Sequence, residues 1–497
     1  MSEISLLILS DIHYFNLAES DPGETDRECN LGAELVARAL RDAQRRSNLD
    51  AIVLLGDLVE DGSSDGAIPD LLRIRDNVRR QAPKLPCIVV PGNHDPDAET
   101  VLRLFEDEPG IHDINDYLLY TFVDSWDEND VGHRNAEQMA RFRNVAEGTN
   151  QPLIALQHNP IYPPIESDYP YILHDHSSVM SQYAECALAA SLSGHYHPGQ
   201  EPTSVDGVTY WTCPSLSKPP FAYGIARFRG PKVEIQRHAL KLPKKYSLFD
   251  VHCHTEYAYC ADNITAPDAI RRASLFGLRG LCLSEHADQL YLTRQEHDEA
   301  YVYTHPDYWA RSRPANCQRL PDYRRYTEPL RTETVKIGLE VEPDLPGRPG
   351  AHPDDLEGWD LLLGAVHWIP PSVTSEKAMQ AEYLERTRSL LANGCRVLAH
   401  PFRFFSRNDL PVPRNLYEPV TDLLKEYGAA AEINFHSNQP DPVFFELCIR
   451  KNVRIALGSD SHKCGEVADF HPHIDFLRQI TGQDTFQNIL FPARDEM

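Results

Sequence analysis

The sequence predicts an α/β protein built from two domains. Short apolar runs of strand length alternate with segments whose apolar residues recur at helical spacing, and this alternation continues through both halves of the chain. At 497 residues the chain exceeds the size at which a single hydrophobic core stops growing. A Lys-rich stretch at residues 243–245 interrupts the pattern near the middle. We therefore expect one domain over residues 1–242 and a second over residues 243–497.

The composition narrows the functional classes. Lys and Arg total 48 against 74 Asp and Glu, so the formal net charge is −26. This acidic balance disfavours a protein that holds a long phosphate backbone, although bound cations would offset clustered acidic ligands. The 11 cysteines form no CxxC pair, which is typical of reduced thiols in a cytoplasmic protein. The N-terminal apolar run is too short for a signal peptide or a membrane span, and we expect no membrane contact.

Five strand ends in the first half carry Asp, Asn or His. The run from Ile4 to Ser10 leads to Asp11 and His13, which share one face because they lie two residues apart. Three later runs end in GDLVEDG, PGNHD and QHNP, and a fifth signal is SGHYH. The candidate site residues at these ends are Asp11, His13, Asp57, Asn93, His94, Asp95, His158, His195 and His197. Each alone is more simply a cap or a hydrogen-bonded core residue, but five in this order predict a metal site.

This ordered set resembles the calcineurin-like metallophosphoesterases over roughly residues 4–240, and LQHNPIYPP is most similar to their cyclic-nucleotide-phosphodiesterase branch. The resemblance implies an α/β fold, a two-sheet αββα sandwich with two divalent ions (manganese, iron or zinc) at the strand ends. The implied ligands are Asp11, His13 and His197 for one ion, Asn93, His158 and His195 for the other, and Asp57 for both. His94 and Asp95 remain candidate catalytic residues, with His94 as the acid or charge stabiliser.

A second pair of histidines in this half has a simpler interpretation. HDHSS precedes a helix-like run, so we expect Asp175 or Ser177 to cap that helix, and the alternative is that His174 and His176 line a substrate rim. The acidic stretch over residues 95–130 is most simply a solvated loop and helix surface.

The second half opens on paired histidines. The apolar run from Ser247 to Val251 leads to His252 and His254, two residues apart on one face. Later apolar runs end in the polar residues Glu285, His286, Glu340, His367, His400, Glu432, Asp460 and His462. Because helical segments such as residues 267–276 separate these runs, we expect the polar residues to converge on the C-terminal rim of a parallel barrel.

These motifs resemble the polymerase and histidinol phosphatase (PHP) family over roughly residues 247–497. The resemblance implies a distorted (βα)7 barrel that holds two or three divalent ions (manganese, zinc or iron). The implied ligands are His252, His254 and Asp460 for one ion, His367 and His400 for a second, Glu340 for both, and His286 and His462 for a third. The family often fills the remaining third-ion position with His or Asp, but here it is Cys260, with Asp262 two residues further. A thiolate suits zinc better than manganese; a small buried cysteine is an equal alternative.

Arginines between two of these strand ends are candidate phosphate contacts. The cluster consists of Arg311, Arg313, Arg319, Arg324, Arg325 and Arg331. Either a loop here folds over the rim and binds phosphate, or a solvated helix pairs with nearby acids. Arg403, three residues past His400, has the better position for contacting a substrate phosphate, and we take it as a candidate catalytic residue.

Two predicted metal-dependent phosphoesterase units on one chain suggest consecutive reactions. The leading hypothesis is a bifunctional phosphohydrolase whose first domain cleaves a small phosphodiester, such as a cyclic nucleotide, and whose second removes phosphate from the resulting monoester. The expected partner is a small phosphorylated substrate, with the oligomeric state left open. A nuclease or nucleic-acid end-processing enzyme is the alternative, and it needs a basic groove that the composition does not indicate. A regulatory binding protein with decayed sites is a third hypothesis, disfavoured because both ligand sets are complete.

Overall fold

The computed structural model describes residues 3–16, 26–310 and 319–492 of the chain. The chain divides into two compact units, Met1–Lys241 and Leu242–Met497, which we call the first unit and the second unit. Among the described residues, no helix combines the length and the apolarity that crossing a membrane requires.

Two mixed sheets form the first unit. Its strands are β1 (Glu3–Leu9), β2 (Ala51–Leu55), β3 (Cys87–Val90), β4 (Ile111–Ile114), β5 (Tyr117–Thr121), β6 (Ser125–Trp126), β7 (Gly132–His133), β8 (Leu153–Leu156), β9 (Ala190–Ser193), β10 (Thr203–Val205), β11 (Val208–Thr212), β12 (Ala222–Arg229) and β13 (Lys232–Ala239). One sheet has the order β13-β12-β1-β2-β3 and the other β10-β11-β9-β8-β5-β4, while β6 and β7 pair separately. The neighbours β1, β2 and β3 are parallel, so their C-terminal ends meet at one edge.

Helices cover both sheets of the first unit. They are α1 (Gly32–Arg46), α2 (Ala67–Gln81), α3 (Ala98–Phe105), α4 (Ala136–Glu147) and α5 (His176–Glu185). Apolar side chains from both sheets, including Ile8, Val53 and Leu156, fill the core between them. A second core lies between the six-stranded sheet and the helices α4 and α5, where Phe142 and Tyr183 are buried. This layered α/β arrangement confirms the predicted fold class.

The second unit is built on one parallel sheet. Its strands are β14 (Phe249–Cys253), β15 (Gly280–His286), β16 (Val335–Val341), β17 (Leu361–Gly364), β18 (Val397–Leu398), β19 (Ala430–Asn434), β20 (Ile455–Gly458) and β21 (Leu490–Phe491). They lie side by side in chain order, and every pair is parallel. The sheet curls into a half-barrel because the first strand also meets the residues after β20: Asp460 N donates to His252 O (2.7 Å) and His254 N donates to Ser461 O (3.2 Å).

The sheet of the second unit differs in one respect from the predicted seven-stranded barrel. The short strand β21 pairs with β20 and makes an eighth member. With only two residues, β21 is too short to show a periodic pattern in the sequence, and its place is set by pairing with a strand more than thirty positions earlier in the chain.

Helices connect the strands of the second unit. They are α6 (Ala266–Leu275), α7 (Ala287–Tyr291), α8 (Arg294–Asp298), α9 (Arg319–Thr327), α10 (Glu376–Ala392), α11 (Arg403–Arg407), α12 (Tyr417–Glu426), α13 (Pro442–Arg450) and α14 (His471–Thr481). The helix expected at residues 267–276 is α6, which starts one residue earlier because the Thr265 side chain caps it by accepting from Asp268 N. The strand expected from Ser247 starts at Phe249, since Ser247 adopts a left-handed conformation after a 3-10 turn.

The capping prediction for α5 is half right. The helix begins at His176, with Asp175 at the N-cap position, but the Asp175 side chain makes no capping hydrogen bond. Its carboxylate lies 3.9 Å from the exposed ring of His174. Solvation of an exposed carboxylate offsets the loss of the cap, so local sequence does not decide this contact.

Candidate metal centres

Strained backbone conformations concentrate at the predicted ligands. Six of these residues have positive φ angles in the left-handed region: Asp11 (52°), His13 (47°), Asp57 (51°), His195 (66°), His400 (29°) and Asp460 (51°). Such conformations cost free energy in residues other than glycine and persist where the surrounding structure enforces them. The fold therefore turns the chain sharply at these positions, directly after the strands, and this aims the side chains into common clusters.

The first cluster lies at the strand ends of the first unit. The His13 and His197 rings approach within 3.2 Å through their Nε2 atoms, and His197 Nε2 lies 3.4 Å from Asp11 Oδ1. A few ångströms away, His158 Nε2 lies 3.2 Å from Asn93 Oδ1 and 3.0 Å from His195 Nδ1. The structure thus brings together the seven residues that the sequence analysis named as ligands, in the two predicted groups.

Asp57 joins the two groups of the first cluster. Its Oδ2 lies 3.5 Å from His13 Nε2 and its Oδ1 lies 3.4 Å from His158 Nε2. Burial opposes the charge on His158, but the Asp57 carboxylate outweighs burial and raises the pKa of His158 to about 9. One carboxylate thus faces both groups, as a bridging ligand does.

His94 and Asp95 follow Asn93 but have different surroundings. The His94 Nδ1 atom makes a 2.7 Å hydrogen bond with Glu60 O, and the ring lies edge-on to His13 with 4.7 Å between centroids. The Asp95 carboxylate instead accepts from three backbone amides, Leu58 N (2.7 Å), Val59 N (3.1 Å) and Gly92 N (2.9 Å). Both oxygens of Asp95 therefore hold the two loops together, and a catalytic role for Asp95 stays a prediction.

The second cluster occupies the C-terminal rim of the half-barrel. His254 Nε2 lies 3.1 Å from Asp460 Oδ1, and His252 Nε2 lies 3.4 Å from Glu340 Oε2. On the other side of Glu340, the Oε1 atom lies 2.8 Å from His400 Nε2 and 3.2 Å from His367 Nε2. The two oxygens of Glu340 therefore face different histidine groups, which parallels the position of Asp57 in the first unit.

Cys260 lies at the edge of the second cluster. Its side chain is exposed, and its Sγ lies 3.5 Å from His286 Nε2, while His286 and His462 both group with His254. Partial desolvation of the thiol by its neighbours raises its pKa, but the adjacent His286 and His462 outweigh this effect and lower the pKa of Cys260 to about 4. The alternative of a small buried cysteine does not hold. The Asp262 carboxylate lies 3.7 Å from Lys463 instead.

The donor atoms in these clusters fit divalent metal ions. Asp11 Oδ1, His252 Nε2 and Glu340 Oε2 are buried and lack a hydrogen-bond partner among the described residues. Burying a polar atom without a partner is costly, and a cation between carboxylate and imidazole donors removes that cost. Mixed nitrogen and oxygen donors suit manganese, iron or zinc better than calcium or magnesium.

Comparison with known families agrees with this geometry. Residues 4–199 match the family described as calcineurin-like phosphoesterase. Residues 250–436 match the family described as PHP domain. The chain carries a calcineurin-like phosphoesterase domain followed by a PHP domain. Together with the buried clusters of Asp, Glu and His, these matches identify both parts of the chain as metal-dependent phosphoesterase domains.

Several solved structures resemble part of the chain. A dimetal phosphatase from Danio rerio is 15% identical, with a TM-score of 0.39, and the match covers 48% of this chain and 98% of that one. A purple acid phosphatase from seeds of yellow lupin (Lupinus luteus) is 10% identical, with a TM-score of 0.33, and the match covers 48% of this chain and 52% of that one. No match was found among curated proteins.

Four glutamates orient histidines of the two domains by contacting their Nδ1 atoms. In the calcineurin-like domain Glu60 Oε2 lies 3.0 Å from His13 Nδ1. In the PHP domain the corresponding contacts are Glu432 to His252 (2.9 Å), Glu285 to His254 (3.1 Å) and Glu342 to His367 (2.5 Å). A carboxylate on the far nitrogen fixes the tautomer and the ring orientation, so the near nitrogen faces the cluster.

The sequence patterns did not predict this orienting role. Glu285 and Glu432 were noted as polar strand ends, whereas Glu60 and Glu342 were missed. The available signal is spacing, since Glu60 follows Asp57 by three residues and Glu342 follows Glu340 by two. Burial opposes ionisation of Glu60, but the hydrogen bond from His13 and the charge of Arg27 lower its pKa to about 2. Glu60 is therefore a carboxylate at neutral pH.

Arg403 of the PHP domain lies inside the second cluster. Its guanidinium donates to Asp460 Oδ2 (2.5 Å), lies 2.8 Å from His367 Nε2, and donates to His436 O (3.3 Å). The side chain is buried, with 4% exposed. A fixed positive charge at this position can bind an oxygen of a phosphate held against the cluster.

The other arginines of the predicted cluster have structural partners. Arg319 donates to Tyr257 O and Gln289 O, and Arg324 donates to Asp355 O and Glu357 O. Arg325 pairs with Asp322, and Arg331 pairs with Asp360. These contacts favour the alternative of a helix that pairs with its own surroundings. Arg311 and Arg313 lie outside the described residues.

Proposed function

We propose that the protein is a bifunctional phosphohydrolase whose calcineurin-like domain cleaves a small phosphodiester and whose PHP domain removes phosphate from the resulting monoester. The observation that carries this proposal is the pair of carboxylates, Asp57 and Glu340, each with its two oxygens facing two separate histidine groups. This arrangement suits two cations, which when bound would lower the pKa of water to give a nucleophile and would neutralise charge on the phosphoryl oxygens.

In the calcineurin-like domain, the proposed ligands are Asp11, His13, Asp57, Asn93, His158, His195 and His197. His94 is proposed to stay free of metal. Its Nδ1 donates to Glu60 O, so Nε2 is the nitrogen left to face an ester oxygen, and it donates to that oxygen when the ring carries both protons. Asp95 supports this role indirectly, because its hydrogen bonds hold the loop on which His94 lies.

In the PHP domain, the proposed ligands are His252, His254, Cys260, His286, Glu340, His367, His400, Asp460 and His462. A phosphomonoester carries more negative charge than a diester, so a site with up to three cations and the guanidinium of Arg403 suits the monoester better. The charge of −26 argues against a polyanionic strand as the natural substrate.

The proposal is tested with the full chain loaded with manganese and supplied with a cyclic phosphodiester. Wild type releases inorganic phosphate. Asp57→Asn removes a bridging charge and leaves the diester intact, yet it still hydrolyses added monoester. His252→Ala stops at the monoester, with phosphate release reduced by orders of magnitude.

The controls make the relay falsifiable. Folding and metal content of each variant are compared with wild type, because a misfolded chain loses both activities together. If His252→Ala releases phosphate from the diester at the wild-type rate, the two domains do not act in sequence. Cleavage of single-stranded DNA in preference to small diesters would support the nuclease alternative.

A further inference from the structure

Aromatic side chains border the metal cluster of the calcineurin-like domain. The rings of Tyr169 and Tyr171 lie 5.6 Å and 5.4 Å from the ring of His195, measured between centroids. Tyr196 packs edge-on against Tyr171 at 5.1 Å, and Trp126 packs edge-on against His158 at 6.0 Å. We call these four residues, Trp126, Tyr169, Tyr171 and Tyr196, the aromatic wall.

The aromatic wall does not belong to the hydrophobic cores of its unit. Neither described core cluster includes any of its four residues, and all four side chains are half-buried. Tyr162 of the same loop is different, since it packs on Tyr210 and joins the second core. A large aromatic ring outside the core, beside a polar cluster, leaves part of its face available to a ligand.

Hydrogen bonds hold the aromatic wall in place. The buried side chain of Asn159 accepts from Trp126 Nε1 (3.0 Å) and donates to Tyr171 O (3.0 Å), so it ties two parts of the wall together. Within the loop, Tyr171 N donates to Tyr169 O (2.9 Å). A wall positioned in this way binds a flat ligand with little loss of conformational entropy.

The charges around the aromatic wall restrict what it can bind. Glu166 and Asp168, on the loop that carries Tyr169 and Tyr171, are exposed. An acidic border disfavours a long polyanionic strand, whereas a neutral flat ring attached to a single phosphodiester meets little repulsion.

We propose that the aromatic wall binds the base of a small nucleoside phosphodiester while the phosphoryl group lies at the metal cluster. This inference rests on the proposed diesterase activity and adds the substrate class. Stacking on aromatic side chains tolerates every base because each base has a π face. The wall is therefore expected to distinguish nucleoside diesters from diesters that lack a ring, without selecting one base strictly.

The test compares adenosine 3′,5′-cyclic phosphate with glycerol 1,2-cyclic phosphate, using the full chain with manganese. The measured quantity is the ratio of kcat/KM for the two substrates. Tyr169→Leu and Tyr171→Leu remove a ring and are expected to lower this ratio roughly tenfold to a hundredfold, mainly through KM for the adenosine substrate. Tyr169→Phe and Tyr171→Phe keep the ring and are expected to keep the ratio. Tyr427→Leu, on the surface of the other unit, is the matched control.

Each outcome tests either base binding by the aromatic wall or the proposed diesterase activity. An unchanged ratio in correctly folded leucine variants contradicts the proposal that the aromatic wall binds the base, and it leaves the diesterase proposal intact. If wild type hydrolyses neither substrate, the diesterase proposal fails, and equilibrium binding of adenosine 3′,5′-cyclic phosphate then decides the wall. Binding that weakens in the leucine variants supports it, and absence of binding to wild type overturns it. Circular dichroism and metal content establish that every variant is folded and loaded.

Discussion

The thiol of Cys260 lies where two imidazoles, His286 and His462, stabilise its negative charge. Thiolates are the reactive form of cysteine. Below its pKa of about 8.5, an ordinary thiol therefore becomes about tenfold more reactive for each unit by which the pH rises. The lowered pKa of Cys260, about 4, predicts a different profile, because the thiolate is already fully formed at pH 5.5.

We expect iodoacetamide to modify Cys260 of the chelator-treated protein at nearly the same rate between pH 5.5 and pH 8. Mass spectrometry of peptides measures the rate. Cys395 is the internal control: burial raises its pKa to about 12, so it is expected to remain unmodified. Added zinc is expected to protect Cys260. A rate that climbs with pH as for an ordinary thiol would contradict the lowered pKa, and failure of zinc to protect Cys260 would contradict its assignment as a ligand.

At the level of elements, glycines at or near strand ends keep space for the bridging and orienting carboxylates. A Cβ at Gly92, after β3, would collide with Asp57 Oδ1. A Cβ at Gly458, the last residue of β20, would collide with Glu432 Oε1, which orients His252. In both domains, a glycine on one element thus leaves room for a carboxylate on the neighbouring element.

Alanine at these glycines is expected to weaken metal binding in one domain at a time. Gly92→Ala displaces Asp57, and Gly458→Ala displaces Glu432, each with about a tenfold to hundredfold loss of manganese affinity in its own domain. Competition with a chelator measures the affinities. Each variant is the control for the other, since the collision is confined to one unit. Equal losses in both domains would indicate general unfolding and contradict the local explanation.

At the level of the whole molecule, the two units carry separate sets of buried acidic candidate ligands within an acidic chain. Part of the charge of −26 comes from these ligands, and bound cations would neutralise it. Metal binding to residues that face each other in the folded state also stabilises that state.

The full chain is expected to hold about four or five divalent ions, two in the first unit and two or three in the second. Elemental analysis after gel filtration measures the content. Asp57→Asn is expected to lose only the ions of the first unit, and Asp460→Asn only those of the second. A single substitution that empties both units in a folded protein would show that the two centres depend on each other.

The sequence alone determined the α/β class and most of the candidate ligands. Candidate ligands such as Asp11 and His252 directly follow apolar runs, and parallel strands bring their C-terminal ends to one edge of a sheet. The local sequence pattern therefore predicts both the position of the strand and the direction in which its last side chains point. Families with the same order of motifs then supplied the grouping of these residues.

Only the tertiary structure decided which other side chains contact the candidate ligands. Glu432 meets His252 across 180 positions of sequence, Asp95 turns toward backbone amides, and Tyr169 and Tyr171 reach His195 from a loop. No spacing in the sequence encodes these contacts, because they depend on how distant segments pack and how loops close. The sequence thus fixes the residues that follow each strand, and long-range packing fixes their neighbours.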